Sequence, residues 1–168
     1  VSYSSIGTIF YSVEEGMSKS KIKSLINISN KSNTPVLFSK STYPYKTIGI
    51  LINNDFGETS SNSVAFDLAA SLSASLTAVN VSQPKFLQSE ESSKVSDSIE
   101  KLQDLALSHE IQLDLENKEG NEAKIFSEMS NKFDLSVIST GINQSWQSRK
   151  TVEFIAINSK SSVLYIPS

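Results

Sequence analysis

The chain of 168 residues contains no cysteine, a single histidine and a single tryptophan. Without cysteine there is no disulfide framework, no thiolate nucleophile and no cysteine-bound zinc or iron–sulfur cluster. One histidine excludes a His-rich metal site. The 15 Lys and Arg are interspersed with 18 Asp and Glu for a net charge of -3. That leaves no clustered basic surface of the kind counterion release requires, so nucleic acid is excluded as a main partner. No apolar run approaches the roughly 18 residues that cross a bilayer. The opening VSYSSIGTIFYSVEEG has no basic region of the signal-peptide type. The expectation is a soluble, cytoplasmic chain, and its start at Val1 reads as a cut from something longer.

What is present is serine, about a fifth of the chain, together with many Asn. Both favour caps and turns over helix interiors, yet they alternate with regularly spaced apolar residues, so the pattern is that of a folded chain. From Tyr45 onward, strands and helices alternate. Thr47–Asn53 (TIGILIN) is a β-branched apolar run suited to a strand covered on both faces. A helix over 60–75 places Val64, Leu68, Ala69 and Leu72 on one face. LTAVNV (76–81) is the next strand, followed by a helix carrying Val95, Ile99, Leu102, Leu105 and Ala106. IQLDL (111–115) is a third strand, and Gly120-Asn121 opens a helix with Ile125, Phe126 and Met129 inward. DLSVIST (134–140), a helix over 151–157 and SVLYI (162–166) complete the series. Strands separated by helices imply βαβ crossovers and a parallel sheet between helical layers.

Ahead of this domain, GTIFYSV (7–13), a helix over 18–30 with Ile22, Leu25, Ile26 and Ile28, and TPVLFS (34–39) form one more βαβ unit. It resembles the last unit of the main domain. LINISNKSNTPVLF runs beside FIAINSKSSVLYIP, pairing Ile28 with Ile157 and Val36 with Val163, offsets of 129 and 127 residues with a two-residue gap. A repeat of that period indicates tandem duplication. The division is therefore 1–44, the tail of one domain, and 45–168, a complete second one.

Tyr45-Lys46-x-Ile48, Asp134-Leu135 leading to Gly141, and the closing Pro35-Val36-Leu37 and Ser162-Val163-Leu164 together resemble the universal stress protein family. The resemblance covers 45–168 fully and 7–40 as a fragment. It implies a flavodoxin-like three-layer α/β sandwich, of the adenine nucleotide alpha hydrolase-like kind. Its five-stranded parallel sheet has the order 3-2-1-4-5, here preceded by the βαβ fragment. It also implies a homodimer or pseudo-dimer in which the last strands, Pro35–Ser39 and Val163–Pro167, lie antiparallel. ATP-binding members use an Asp at the end of the first strand and a glycine-rich loop after the fourth, because glycine lets backbone amides approach phosphate. Here Asn53 takes the Asp position, with Asp55 two residues on, and the loop keeps Gly141 alone. Gln144 stands at its second glycine and Arg149 or Lys150 near its third. The implied module is non-catalytic, regulatory and ligand-sensing, with a degenerate ATP loop and no standing cofactor, ATP and AMP being disfavoured. Two alternatives stay open: the cytoplasmic C-terminal domain of a cation/proton antiporter, and a nucleotide-binding or ATP-hydrolysing stress protein.

Each candidate has a plainer reading beside it. In QSWQSRK (144–150), Trp146, Arg149 and Lys150 suit a modified anion or nucleotide site at the strand ends, or else a solvated loop. Asn53, Asn54 and Asp55 suit a ribose or simply a turn. His109 sits at a helix end, where a cation complements the dipole, and no nucleophile accompanies it.

Overall fold

The computed structural model describes residues 7–13, 18–52, 60–82, 92–139 and 146–167, and among these the side chains of 60–61, 92–98 and 146–147 are left aside. The elements in chain order are β1 (Ile9–Ser12), α1 (Lys19–Ser32), β2 (Val36–Ser39), β3 (Thr47–Ile52), α2 (Ser60–Leu72), β4 (Ser75–Ser82) and α3 (Ser92–Ser108). They continue with β5 (Leu113–Glu119), α4 (Glu122–Met129), β6 (Leu135–Ser139), α5 (Trp146–Asn158) and β7 (Ser162–Ile166).

Residues of β3 alternate between the two apolar layers. Ile48, Ile50 and Ile52 point to one layer, with Ala65, Phe66 and Ala69 of α2 and Leu102 and Ala106 of α3. Leu51 points to the other, with Ile22 and Ile26 of α1, Phe126 and Met129 of α4, and Val152, Ile155 and Ala156 of α5. Gly49 shares that second side, and a Cβ there would overlap the Phe133 ring. The result is a three-layer α/β sandwich, as the alternation of elements implies.

Five strands take the expected order: β5, β4, β3, β6 and β7 are adjacent in that sequence and all parallel. The sheet nevertheless has seven strands, because β2 pairs antiparallel with β7 and β1 parallel with β2. The preceding βαβ unit is thus continuous with the main sheet, joined through the antiparallel pairing of the two last strands that the resemblance implies. The physical reason is that Val36 and Phe38, like Val163 and Tyr165, are wholly buried, so pairing closes two hydrophobic edges at once.

The β2–β7 pair is centred on Leu37 opposite Leu164, flanked by Val36–Tyr165 and Phe38–Val163. All four β1–β2 partners recur in β6–β7 at a constant offset of 127, from Ile9–Val36 matching Ser136–Val163 to Ser12–Ser39 matching Ser139–Ile166. The helices obey a different offset. Buried Ile22, Ile26 and Ser29 of the first unit match buried Val152, Ala156 and Ser159 of the second at 130. The gap between the units is therefore three residues, not two, and Ile28, half exposed at 50%, is not a core equivalent of Ile157.

Other boundaries move for local reasons. The buried face of α2 is Asn62, Ala65, Phe66 and Ala69, with Val64 and Leu68 only partly covered and Leu72 38% exposed. β5 begins two residues later and runs four further than the apolar alternation suggests, because its ladder with β4 continues to Ser82–Glu119. α5 starts at Trp146, five residues before the expected Thr151. No proline or glycine interrupts Trp146–Asn158, and Gln, Arg and Lys are good helix formers.

Candidate functional site

β3 leads through α2 to β4 over one face of the sheet, and β6 leads through α5 to β7 over the other. Between the carboxyl ends of β3 and β6 the chain order reverses, which is where open α/β sheets leave a crevice for ligands. Two buried polar side chains belong to the elements next to this point. Ser139 closes β6 and is 3% exposed; Asn62 lies in the first turn of α2 and is also 3% exposed. Among the described residues, neither Ser139 Oγ nor Asn62 Oδ1 has a hydrogen-bond partner. A buried polar atom left unpaired costs roughly 1–3 kcal/mol. Ser127 Oγ and Ser159 Oγ share that condition; Ser139 and Asn62 are the two of these four that belong to the strand ending, and the helix beginning, at the carboxyl ends of β6 and β3.

Neither residue was singled out from the sequence, although the signal was there. Asn62 occupies a core position in the spacing 62, 65, 66, 69, and Ser139 ends an otherwise apolar strand.

Of the residues singled out from the sequence, Asn53, Asp55, Gly141 and Gln144 lie outside the described residues. Arg149 and Lys150 belong to α5 and not to a loop, and both are exposed. Lys150 Nζ stands 3.5 Å from Glu153, which also receives Lys23 of α1 at 3.8 Å. The Trp146 side chain is among those left aside. His109 fastens α3 to α2: Nδ1 is 3.0 Å from the Leu105 carbonyl and Nε2 3.3 Å from Asp67. Among the described residues, no three His, Asp or Glu side chains converge as a metal site requires.

At the opposite ends of the strands two charged groups hold the framework. Asp134 Oδ2 accepts from Lys46 N at 2.8 Å, Thr47 N at 3.0 Å and Thr47 Oγ1 at 3.1 Å. Burial works against its ionisation, but these bonds and the nearby Lys46 charge outweigh it and hold the carboxyl below its ordinary range. Lys40, just past β2, donates to the carbonyls of Ala156, at 3.4 Å, and Ser159 at the end of α5. Burial, reinforced by Lys160, lowers its pKa to about 8.

No protein-family model matches the chain, and no curated protein does. Solved structures do. A protein of Pseudomonas aeruginosa assigned as a universal stress protein aligns with a TM-score of 0.65 at 15% identity over 96% of this chain and 63% of its own. A universal stress protein from Archaeoglobus fulgidus gives 0.67 at 14% over 95% and 60%. A universal stress protein solved in complex with cAMP gives 0.57 at 17%, with 73% of this chain matching 97% of that one. The likeness is one of fold, and the chain spans less than two thirds of the length of the first two proteins. Among the described residues no helix is long and apolar enough to cross a membrane.

Proposed function

We propose that this chain is a cytoplasmic, non-catalytic module of the universal stress protein type. In this reading it senses a small polar ligand at the β3–β6 crevice and has lost the phosphate-gripping loop of the ATP-binding members. The observation that carries the reading is the pair of buried, unpartnered atoms, Ser139 Oγ and Asn62 Oδ1. An Asn oxygen only accepts and a serine hydroxyl does both, so the ligand must present a hydroxyl or amine, as a ribose or an adenine amino group does. Gln144 in place of the second glycine removes part of the close backbone approach that a triphosphate needs, and Arg149 and Lys150 stand inside α5 instead of supplying a third loop position. The cAMP-bound neighbour makes adenine nucleotides the natural probes.

The test is a thermal-shift series with AMP, cAMP, ADP and ATP. Saturation at a hundredfold excess over Kd corresponds to about 2.7 kcal/mol. The reading expects equal stabilisation by AMP and ATP and no released phosphate. A response that grows with each added phosphate, or turnover of ATP, overturns it in favour of a nucleotide-hydrolysing protein. A flat response to all four removes the adenine-nucleotide assignment.

The βαβ unit at 7–39 belongs to this reading as the end of a preceding tandem copy. The constant strand offset of 127 supports it, and the antiparallel β2–β7 pair is then a dimer contact made within one chain.

A further inference from the structure

The antiparallel β2–β7 pair lies on a local two-fold. Its central residues, Leu37 and Leu164, are equivalents at the strand offset of 127, and Val36–Tyr165 is the mate of Phe38–Val163 under the same offset. On backbone register alone, a second copy of the chain could therefore lay its own β7 against β7, with Leu164 opposite Leu164 and Val163 opposite Tyr165. A two-fold surface invites isologous pairing of that kind. The side chains around the axis tell against it, because the two units differ at three places.

The first is a buried hydrogen bond. Tyr165 is wholly buried and its hydroxyl donates to Asn30 Oδ1. The counterpart of Tyr165 is Phe38, which has no hydroxyl. Asn30 itself has no counterpart: residues 30–35 separate the matched Ser29 from Val36, but only 160–162 separate Ser159 from Val163. α1 runs on through Asn30 to Ser32, whereas α5 stops at Asn158. The donor thus belongs to one unit and the acceptor to the other, and a second α5–β7 face would bring Tyr165 a partner with no Asn30 in it.

The other two are charges. Lys23 of α1 and Glu153 of α5 are equivalents at the helix offset of 130, and they stand 3.8 Å apart. A second α5 in the place of α1 would set Glu153 against Glu153, and like charges across an interface discriminate against the wrong partner. Lys40 donates to the Ala156 and Ser159 carbonyls at the end of α5, where a cation complements the helix dipole. Its equivalent at the strand offset is Pro167, which brings neither donor nor charge.

We propose that the α5–β7 face is specific for the α1–β2 unit of its own chain and rejects a second copy of itself, with Lys23, Asn30 and Lys40 as the residues that make the distinction. The proposal needs only the register and the repeat, whatever the origin of the first unit. Its test uses the whole chain. Leu164→Cys supplies a sole cysteine at the axis, where two β7 strands would bring it against itself. Under oxidation the chain is expected to stay monomeric, and a species of doubled mass joined at position 164 overturns the proposal. Amide exchange then reads the joint. Asn30→Ala should speed exchange in the β2–β7 ladder about tenfold while leaving the β3–β6 ladder unchanged, and should do nothing further in a Tyr165→Phe background. Lys23→Glu should speed the same amides, and do so less in a Glu153→Gln background. Equal acceleration with and without Tyr165 or Glu153, or no acceleration at all, overturns the assignment of these residues as the selective ones.

Discussion

Gly49 shows how a single residue couples sequence to packing. Its side faces the Phe133 ring so closely that no Cβ fits, and Phe133 is itself buried between α4 and β6. Gly49→Ala overpacks this contact and is expected to cost about 1–3 kcal/mol, read by urea denaturation. Lys40 gives a pH signature. Its pKa of about 8 lies below the ordinary lysine value of 10.5, so between those limits the unfolded chain binds the extra proton and stability rises with pH. Lys40→Met should flatten that rise in denaturation curves taken from pH 7.5 to 10.5. Asp134 behaves in the opposite sense. Its folded pKa is depressed, so the stability it confers is complete above the ordinary carboxylate range and disappears as pH falls through the folded value. Asp134→Asn should be less stable at pH 7 and show a shallower loss on acidification. Asn62 separates function from folding: Asn62→Leu removes an unpaired buried acceptor, so the ligand-free protein should melt no lower than the parent while its response to nucleotide disappears. A lowered melting temperature with the nucleotide response retained would place Asn62 in the framework instead.

At the scale of elements, strands were the most legible part of the sequence. A buried parallel strand is apolar on both sides, and TIGILI and SVLYI are continuous runs of that kind that meet no competing periodicity. Helix faces were harder. The apolar residues Val64, Leu68 and Leu72 of α2 suggest one stripe, but the buried stripe includes Asn62, a residue hydropathy alone assigns to solvent. The start of α5 was obscured because Gln, Ser, Arg and Lys look the same in a loop as on an exposed helical turn. Moving Arg149 and Lys150 into that helix changes their chemistry, since they now occupy a solvated helix surface on which Lys150 pairs with Glu153. Caps were legible where they obey a local rule. Asn121 accepts from Lys124 N at 3.0 Å, and Asn121→Ala is expected to cost about 1 kcal/mol, checked by thermal melting.

At the scale of the molecule, the layers follow from the alternation of strands and helices, while the strand order and the antiparallel approach of β2 to β7 are what the family resemblance implies. Made within one chain, that approach is what joins both units into one seven-stranded sheet. The candidate site was legible only in part. The turn and glycine positions, Asn53, Asp55, Gly141 and Gln144, lie outside the described residues, whereas buried Ser139 and Asn62 emerge only when α2 and β6 are set beside each other. The central claim is that this crevice takes a polar ligand. Its most direct test is an NMR titration of the amide-labelled chain with AMP. The account predicts shifts concentrated at Asn62, Ser139 and the carboxyl ends of β3 and β6; shifts confined to other surfaces at saturating AMP would contradict it.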